Sequence, residues 1–402
     1  MSDCKLYFFN PTCETAIANG SETYMATQIL REFEEDLSLL PMVFATENDY
    51  VLSSVKPSEG FIQNLKRIGF PVSKCVAKIE IEKNRQLKFS KIIPWGWSPA
   101  AHFQLDEIKK KVTGDFRNSV VFNWQEEYKT LFERKTSAEI LKLFLSKYDP
   151  SIYCFSEAVP EIICSEIQIG KYLLKYPNAV LKSPVSSSGR GVQMIRDGKL
   201  SRTNSQWANA VFKQMGYLMA EPLHQKKLDF SFQFKIDQNG NVTYLGHVFF
   251  FTNGNGMYQG HYLNRSVEEL TGFDFEELLN DTGERLRLIL KDSKFSLFHE
   301  GFLGVDGMII DENGTTKVHP CVEINCRLTM GMLALRIQNL IHSEAKGRFE
   351  IFSGKEGEFA VFSDEMKKKY PIEIKDQLFY SGFAALTEPR EKAKFGAYVL
   401  LG

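Results

Sequence analysis

The sequence predicts an α/β layer followed by a strand-rich α+β module, and three observations carry that expectation. In the first hundred residues short apolar runs alternate with helical ones, the pattern of a mostly parallel sheet with helices on its faces. From about residue 150 longer strands come in pairs around Asn-Gly dipeptides, which supply the positive φ of tight hairpin turns. Near the end, CVEINCRLTMG (321–331) alternates apolar Val322, Ile324 and Cys326 with Glu323, Asn325 and Arg327. Side chains on a strand alternate between faces, so one face of this strand is apolar and the other carries a carboxylate, an amide and a guanidinium in a row.

In chain order, KLYFFN (5–10) reads as a strand, followed by a Pro turn and a helical run to about Phe33. LPMVFAT (40–46) is the second strand expected, SEGFIQNLKRIGF (58–70) an amphipathic helix, and PVSKCVAKIEI a strand or loop. PWGWSPAAHF (94–103) reads as a rigid aromatic break and a domain boundary, its Trp95 and Trp97 as packing residues. DEIKKKV and residues 126–148 read as helical, with Thr136 or Ser137 as a cap inside the second run. NAVLKSP (178–184) and QMGYLMAEPL (214–223) are strands. Residues 228–251 form a hairpin turning at Asn239-Gly240, and 302–325 another turning at Asn313-Gly314, with a helix over 273–293 between them. The tail closes with two strand-like runs, FYSGFAAL and KFGAYVLL. The division expected is 1–105, 106–345 (with a smaller subdomain over about 150–225) and a strand-rich extension over 346–402.

With 402 residues, 43% hydrophobic and 25% charged, the composition is that of a globular protein with several cores. A net charge of -1 gives no reason to expect nucleic acid or an anionic membrane as partner. Seven cysteines without a CxxC pair fit a reducing, cytoplasmic setting rather than a zinc site or a disulfide framework. No basic n-region precedes a long apolar run, so no signal peptide is expected, and no apolar stretch is long enough to span a membrane.

The chemistry starts at the last hairpin. A two-residue turn at Asn313-Gly314 sets Asp306 opposite Cys321, on the face that carries Glu323, Asn325 and Arg327 and diagonal to Glu323. Two carboxylates and an amide oxygen without His or Cys suit a hard cation; Mg2+ usually takes one or two carboxylates plus substrate phosphates. A solvated surface strand is the plainer alternative. The second element is AVLKSPVSSSGRGV (179–192), where an apolar strand delivers Lys182 into a run of small residues whose backbone can approach phosphate oxygens. It is not a Walker A loop, because G-x-x-x-x-G-K-[ST] is absent, and NGNGMYQG (253–260) lacks dinucleotide spacing.

VLKSPVSSSGRGV, YLMAEPL and GVDGM…VEINCR stand in an order and spacing that resembles the ATP-grasp superfamily, the carboxylate–amine ligases related to D-alanine–D-alanine ligase and biotin carboxylase. The resemblance covers about residues 130–340 and implies a Rossmann-like pre-ATP-grasp domain followed by a two-subdomain ATP-grasp module. It implies an ADP-forming ligase that takes ATP and Mg2+ (or Mn2+) and joins small-molecule carboxylate and amine substrates through an acyl phosphate. A phosphotransferase and a binding-only regulatory module are the other readings, and oligomeric state stays open.

By the same resemblance, Lys182 and Lys135 are the phosphate lysines, and Ser187, Ser188, Gly189 and Gly191 the glycine-rich cover. Glu221, Leu223 and His224 fall on the adenine hinge and Asp229 on the ribose, though the intervening loop is one residue longer here. Asp306, Glu323 and Asn325 match the Mg2+ ligands, and Arg327 the arginine two residues after the Asn. Where many relatives carry a further lysine, QGHYLNRS (259–266) has none; His261 and Arg265 are the residues available in its place. Arg190 adds a charge able to pair with phosphate or a substrate carboxylate, or to stay in solvent. Asn10, Thr12 and Glu14 in FFNPTCETA lie where open α/β sheets bind ligands, with a helix cap as the blander reading.

Overall fold

The computed structural model of the chain describes residues 4–186, 191–254 and 256–402. Among these, the strands assemble into three sheets. β1 (Lys5–Phe8), β2 (Tyr50–Leu52), β3 (Lys74–Val76) and β4 (Lys91–Pro94) run parallel in the order β3-β2-β1-β4. β5 (Glu161–Ile163), β6 (Ala179–Lys182), β7 (Val192–Ile195) and β8 (Leu218–Pro222) make a small antiparallel sheet ordered β5-β8-β6-β7.

The third sheet holds β9 (Gln225–Ile236), β10 (Val242–Thr252), β11 (Tyr258–Leu263), β12 (Gly301–Glu312), β13 (Thr315–Asn325), β14 (Gly347–Ser353), β15 (Glu373–Lys375), β16 (Leu378–Ala385) and β17 (Phe395–Leu401). Their order is β13-β12-β9-β10-β11-β14-β17-β16-β15. The parallel layer before the antiparallel one is the architecture the sequence predicts.

Alternation along β9 shows how the large sheet divides its faces. Phe230, Phe232 and Phe234 are fully buried among Leu141, Phe144, Leu286 and Leu290 of the helices Arg134–Lys147 and Glu276–Lys291. Each such ring contributes roughly 2 kcal/mol by burial. Ser231 and Gln233, between them, point to the other face, which the site uses. A second core joins Phe9 and Trp95 of the parallel layer to Leu333 on the helix Met330–Gln338 and to Phe349, Phe379 and Val399 of the distal strands.

Several local expectations are corrected. LPMV forms a 3-10 turn (Leu40–Val43) with Pro41 at its start, and β2 follows at Tyr50. The aromatic break contains a helix start: Ser98 accepts from the Ala101 amide and Pro99 opens the helix Pro99–Lys109. Neither Thr136 nor Ser137 is a cap; both are buried within the first turn of the helix Arg134–Lys147, which Glu133 precedes without a capping bond. At Asn239-Gly240 only the glycine has positive φ, and Asp237 instead accepts from the Asn239 and Asn241 amides in a wider loop.

The last hairpin turns where predicted, with Asn313 (φ 56°) and Gly314 (φ 82°) both left-handed. Its register holds from Glu312↔Thr315 to Met308↔His319 and then shifts, so that Asp306 pairs directly with Glu323 rather than with Cys321. Pro320 explains the break, since it has no N–H to donate to the ladder. Gly307 leaves room for it: a Cβ there would stand 2.5 Å from the Phe230 ring and 2.8 Å from the His319 carbonyl oxygen. The shift is by two residues, so every side chain keeps its face.

Candidate functional site

The face of β9, β12 and β13 away from the phenylalanine core carries Ser231, Gln233, Asp306, Glu323 and Asn325. Asp306 and Glu323 are cross-strand partners, and Ser231 sits opposite Asp306 on β9. Asn325 Nδ2 donates to Asp306 Oδ2 at 2.9 Å. Gln233 donates to Ser231 at 2.8 Å and accepts from Thr329 at 2.7 Å, which fixes the floor behind the carboxylates. Burial pushes the Asp306 carboxyl up to about 7, with the Glu323 charge adding to the rise against the Ser231, Arg327 and Asn325 contacts. Two adjacent carboxylates whose charges oppose one another are a place where a divalent cation fits. Among the described residues no three His, Cys, Asp or Glu side chains converge as a cage. Two carboxylates and an amide suit Mg2+ if phosphate oxygens and water complete its shell.

Arg327 Nη2 donates to Asn325 Oδ1 at 2.9 Å and to Glu14 Oε2 at 3.1 Å. Its Nε lies 3.0 Å from Glu14 Oε1 but off line for a hydrogen bond. Glu14, from the helix Cys13–Asn19, therefore ties the parallel layer to the metal-type face. Its neighbours do other work: Asn10 and Gly96 exchange bonds at 2.8 and 3.3 Å, and Thr12 donates to Glu34 at 2.5 Å.

The small sheet carries the second group of these residues. Lys182 at the end of β6 forms an ion pair with Glu221 on β8, both side chains buried. They are diagonal neighbours on one face, because Val180 pairs with Glu221 and Lys182 with Met219. The Leu223 amide donates to Asn178 O at 2.9 Å. His224 meets His319 of β13 edge to face, with ring centroids 5.4 Å apart. Burial holds both imidazoles below their usual range, and Lys182 disfavours their protonation further. Asp229 pairs with Lys226, and burial raises its carboxyl. Gly191 O accepts from the Ser183 amide at 2.8 Å, and a Cβ on Gly191 would run into Ser183 Oγ and Ser186.

Of the residues singled out in sequence, Asp306, Glu323, Asn325 and Arg327 thus form one connected group and Lys182 with Glu221 another, while His224 touches β13 at His319. Ser187, Ser188, Gly189 and Arg190 lie outside the described residues. Lys135 is 2.5 Å from Glu133 and 5.7 Å over the Tyr217 ring, beside the small sheet. Arg265 stands apart, half-exposed and paired with Glu269 at 3.5 Å. His261 is buried, bonded to Tyr258 at 2.6 Å.

Arg134 is the residue sequence reasoning missed. It is 6% exposed, and its Nη2 lies 2.8 Å from Glu323 Oε1. Helical period was the signal available: Arg134, Ser137, Ala138 and Leu141 fall on one face, and all four are buried. That face docks on β13, where Ser137 Oγ accepts from the Ile324 amide at 3.0 Å.

No protein-family profile matches the chain, and no curated protein sequence matches it. Solved structures do. An N5-carboxyaminoimidazole ribonucleotide synthetase in its ADP complex superposes with a TM-score of 0.51 at 12% identity, over 100% of this chain and 93% of that one. The biotin carboxylase domain of the Hydrogenobacter thermophilus 2-oxoglutarate carboxylase, with MgADP, ADP and bicarbonate, gives 0.50 at 13% identity, over 100% of this chain and 86% of that one. At such identities the likeness is one of fold.

Proposed function

Since the chain has the ATP-grasp fold, we propose that it is an ATP- and Mg2+-dependent, ADP-forming ligase that joins a carboxylate to an amine. The observation that carries the reading is that Arg134 links Glu323, in the Asp306–Glu323–Asn325 group of one sheet, to Ser183, next to the Lys182–Glu221 pair of another. A nucleotide-binding module without chemistry has no need of a metal face beside a phosphate lysine. The two similar structures, solved with ADP or MgADP, support a nucleotide beside these two groups.

In this reading Asp306, Glu323 and Asn325 would hold the metal, which would supply charge neutralisation to the transferring phosphate. Lys182 neutralises phosphate oxygens from the β6 end, with Lys135 as the second lysine and Gly191 bounding the glycine-rich cover with Ser187, Ser188 and Gly189. Glu221, Leu223 and His224 line the adenine edge, and Asp229 the ribose. A carboxylate oxygen of the first substrate attacks the γ-phosphorus, and ADP leaves. The amine nitrogen then attacks the acyl carbon, inorganic phosphate leaves, and the ammonium formed gives up its proton. Arg327, with Arg190 from the cover, offers positive charge to the substrate carboxylate; Arg265 does so only if its segment moves inward. Positioning and charge are what phosphoryl transfer asks of a protein, so no nucleophilic side chain is required.

Turnover tests this. Mg-ATP with pools of amino acids, dipeptides and small carboxylates should yield ADP and phosphate in a pool-dependent way. Glu323→Gln should lower the rate at least a hundredfold, in line with loss of a metal ligand. ADP without free phosphate identifies a phosphotransferase instead, and AMP with pyrophosphate rules out the acyl phosphate.

A further inference from the structure

We propose that Arg134 is a positioning residue that couples occupancy of the metal carboxylate Glu323 to the strand end delivering Lys182. The proposal rests on the metal assignment above. Its geometry is a three-way tie. One arm of the guanidinium, Nη2, is 2.8 Å from Glu323 Oε1. The other, Nη1, donates to Ser183 O at 2.7 Å and to Ser186 Oγ at 2.8 Å. The Arg134 amide donates to Pro184 O at 2.8 Å. Ser183 directly follows Lys182, so a single buried side chain links the metal-type face of β13 to the residues immediately after β6. Its Nε is buried without a hydrogen-bond partner among the described residues, leaving one donor for an incoming acceptor.

The charges make this tie conditional. Arg134 is the cation that offsets Glu323, whose neighbour Asp306 is a second carboxylate. A divalent cation bound by Asp306, Glu323 and Asn325 sits about 2.1 Å from its oxygens. It therefore competes with the guanidinium for the same carboxylate and repels it. The arm on Glu323 weakens, and the fork is free to turn toward phosphate oxygens, which Arg engages through two parallel donors. Ser183 and Ser186 then lose or change their partner. Coupling of this kind is reciprocal: what the metal does to the strand end, removing the tie does to the metal.

The consequence is a pair of opposite effects that a merely structural arginine does not produce. Removing the charge with Arg134→Gln should tighten binding of metal alone, by about tenfold for like charges this close, and weaken binding of ATP. Two measurements read the metal side of the pair. Free Mn2+ is titrated by electron paramagnetic resonance against wild type, R134Q, R134K and E323Q. Hydrogen exchange of the segment 183–186 is followed with and without Mg2+, in the absence of nucleotide.

Expected results are faster exchange at 183–186 when Mg2+ is added to wild type, and fast exchange in R134Q with or without it. R134K, which keeps the charge and loses the fork, should keep wild-type Mn2+ affinity while losing the protection. Exchange indifferent to Mg2+ in wild type overturns the proposal, as does unchanged or weaker Mn2+ binding by R134Q. The wild-type exchange measurement stands even if a variant does not fold. Neither readout needs turnover, so a protein that couples metal to strand but makes no product retires the ligase reading alone. Mn2+ that fails to bind, or binds E323Q equally well, overturns the metal assignment and this proposal together.

Discussion

Lys182 and Glu221 meet with side chains only 10% and 7% exposed, so neither charge has water to fall back on. Such a pair adds little stability over a well-packed apolar one, but breaking it strands a buried charge at a cost of about 3–5 kcal/mol. Lys182→Met should therefore lower the unfolding free energy from urea titration by that much, with a lower midpoint, and adding Glu221→Leu should restore most of the loss. Equal midpoints for wild type and the single variant would mean that Glu221 finds another partner. This pairing was legible only in part. The alternation of AVLK and LMAEP places each residue on a buried strand, but nothing in either run fixes the strand order β5-β8-β6-β7 that makes them neighbours. Arg134 and Lys135 show the complementary difficulty. Two adjacent cations open one helix, and helical phase sends Arg134 to β13 and Lys135 toward Glu133 and Tyr217.

At the scale of the element, the hairpin β12–β13 was the most readable part of the chain. Asn-Gly fixed the turn, and the two-residue period of the strands fixed which side chains share a face. The register beyond His319 was not readable in detail, because Pro320 ends the ladder and the bulge absorbs two residues. The slip preserved the face by parity; a slip of one would have sent Glu323 and Asn325 into the phenylalanine core. Gly307 is the hinge of this compromise. Gly307→Ala should cost about 1–3 kcal/mol through overpacking against Phe230, visible as an earlier thermal transition. Mg2+ dependence should weaken in the same variant as Asp306 shifts away from Glu323. An unchanged transition would show that the Phe230 ring yields freely. LPMV misled for a related reason: an apolar run of strand length was buried as a 3-10 turn, and periodicity over four residues cannot separate the two.

Across the whole molecule, burial governs the response to acid. His102 and His261 are each held down at about 3 and His299 at about 4, in every case chiefly by desolvation. Unfolded imidazoles take up protons below about 6.5, while the folded ones stay neutral. Stability is thus complete above that value and is lost as pH falls toward the folded values. Between pH 7 and pH 5 each imidazole should cost about 1–2 kcal/mol, so thermal denaturation followed across that range should show a steep decline. A flat profile would mean that these rings reach water in the folded state. Among the described residues no helix is long and apolar enough to cross a membrane. The fold class was readable because each layer has its own period; the packing of one layer against another was not. The Glu14–Arg327 contact joins residues 313 positions apart and leaves no local mark in either segment.

The sheet order has one more consequence. β17, residues 395–401, is not at an edge; it lies between β14 and β16. During synthesis β14 and β16 emerge first, with no partner for the edges they will share. The distal half of the sheet cannot be completed until Leu401 has left the ribosome, and until then those open edges are the ones a chaperone would have to shield.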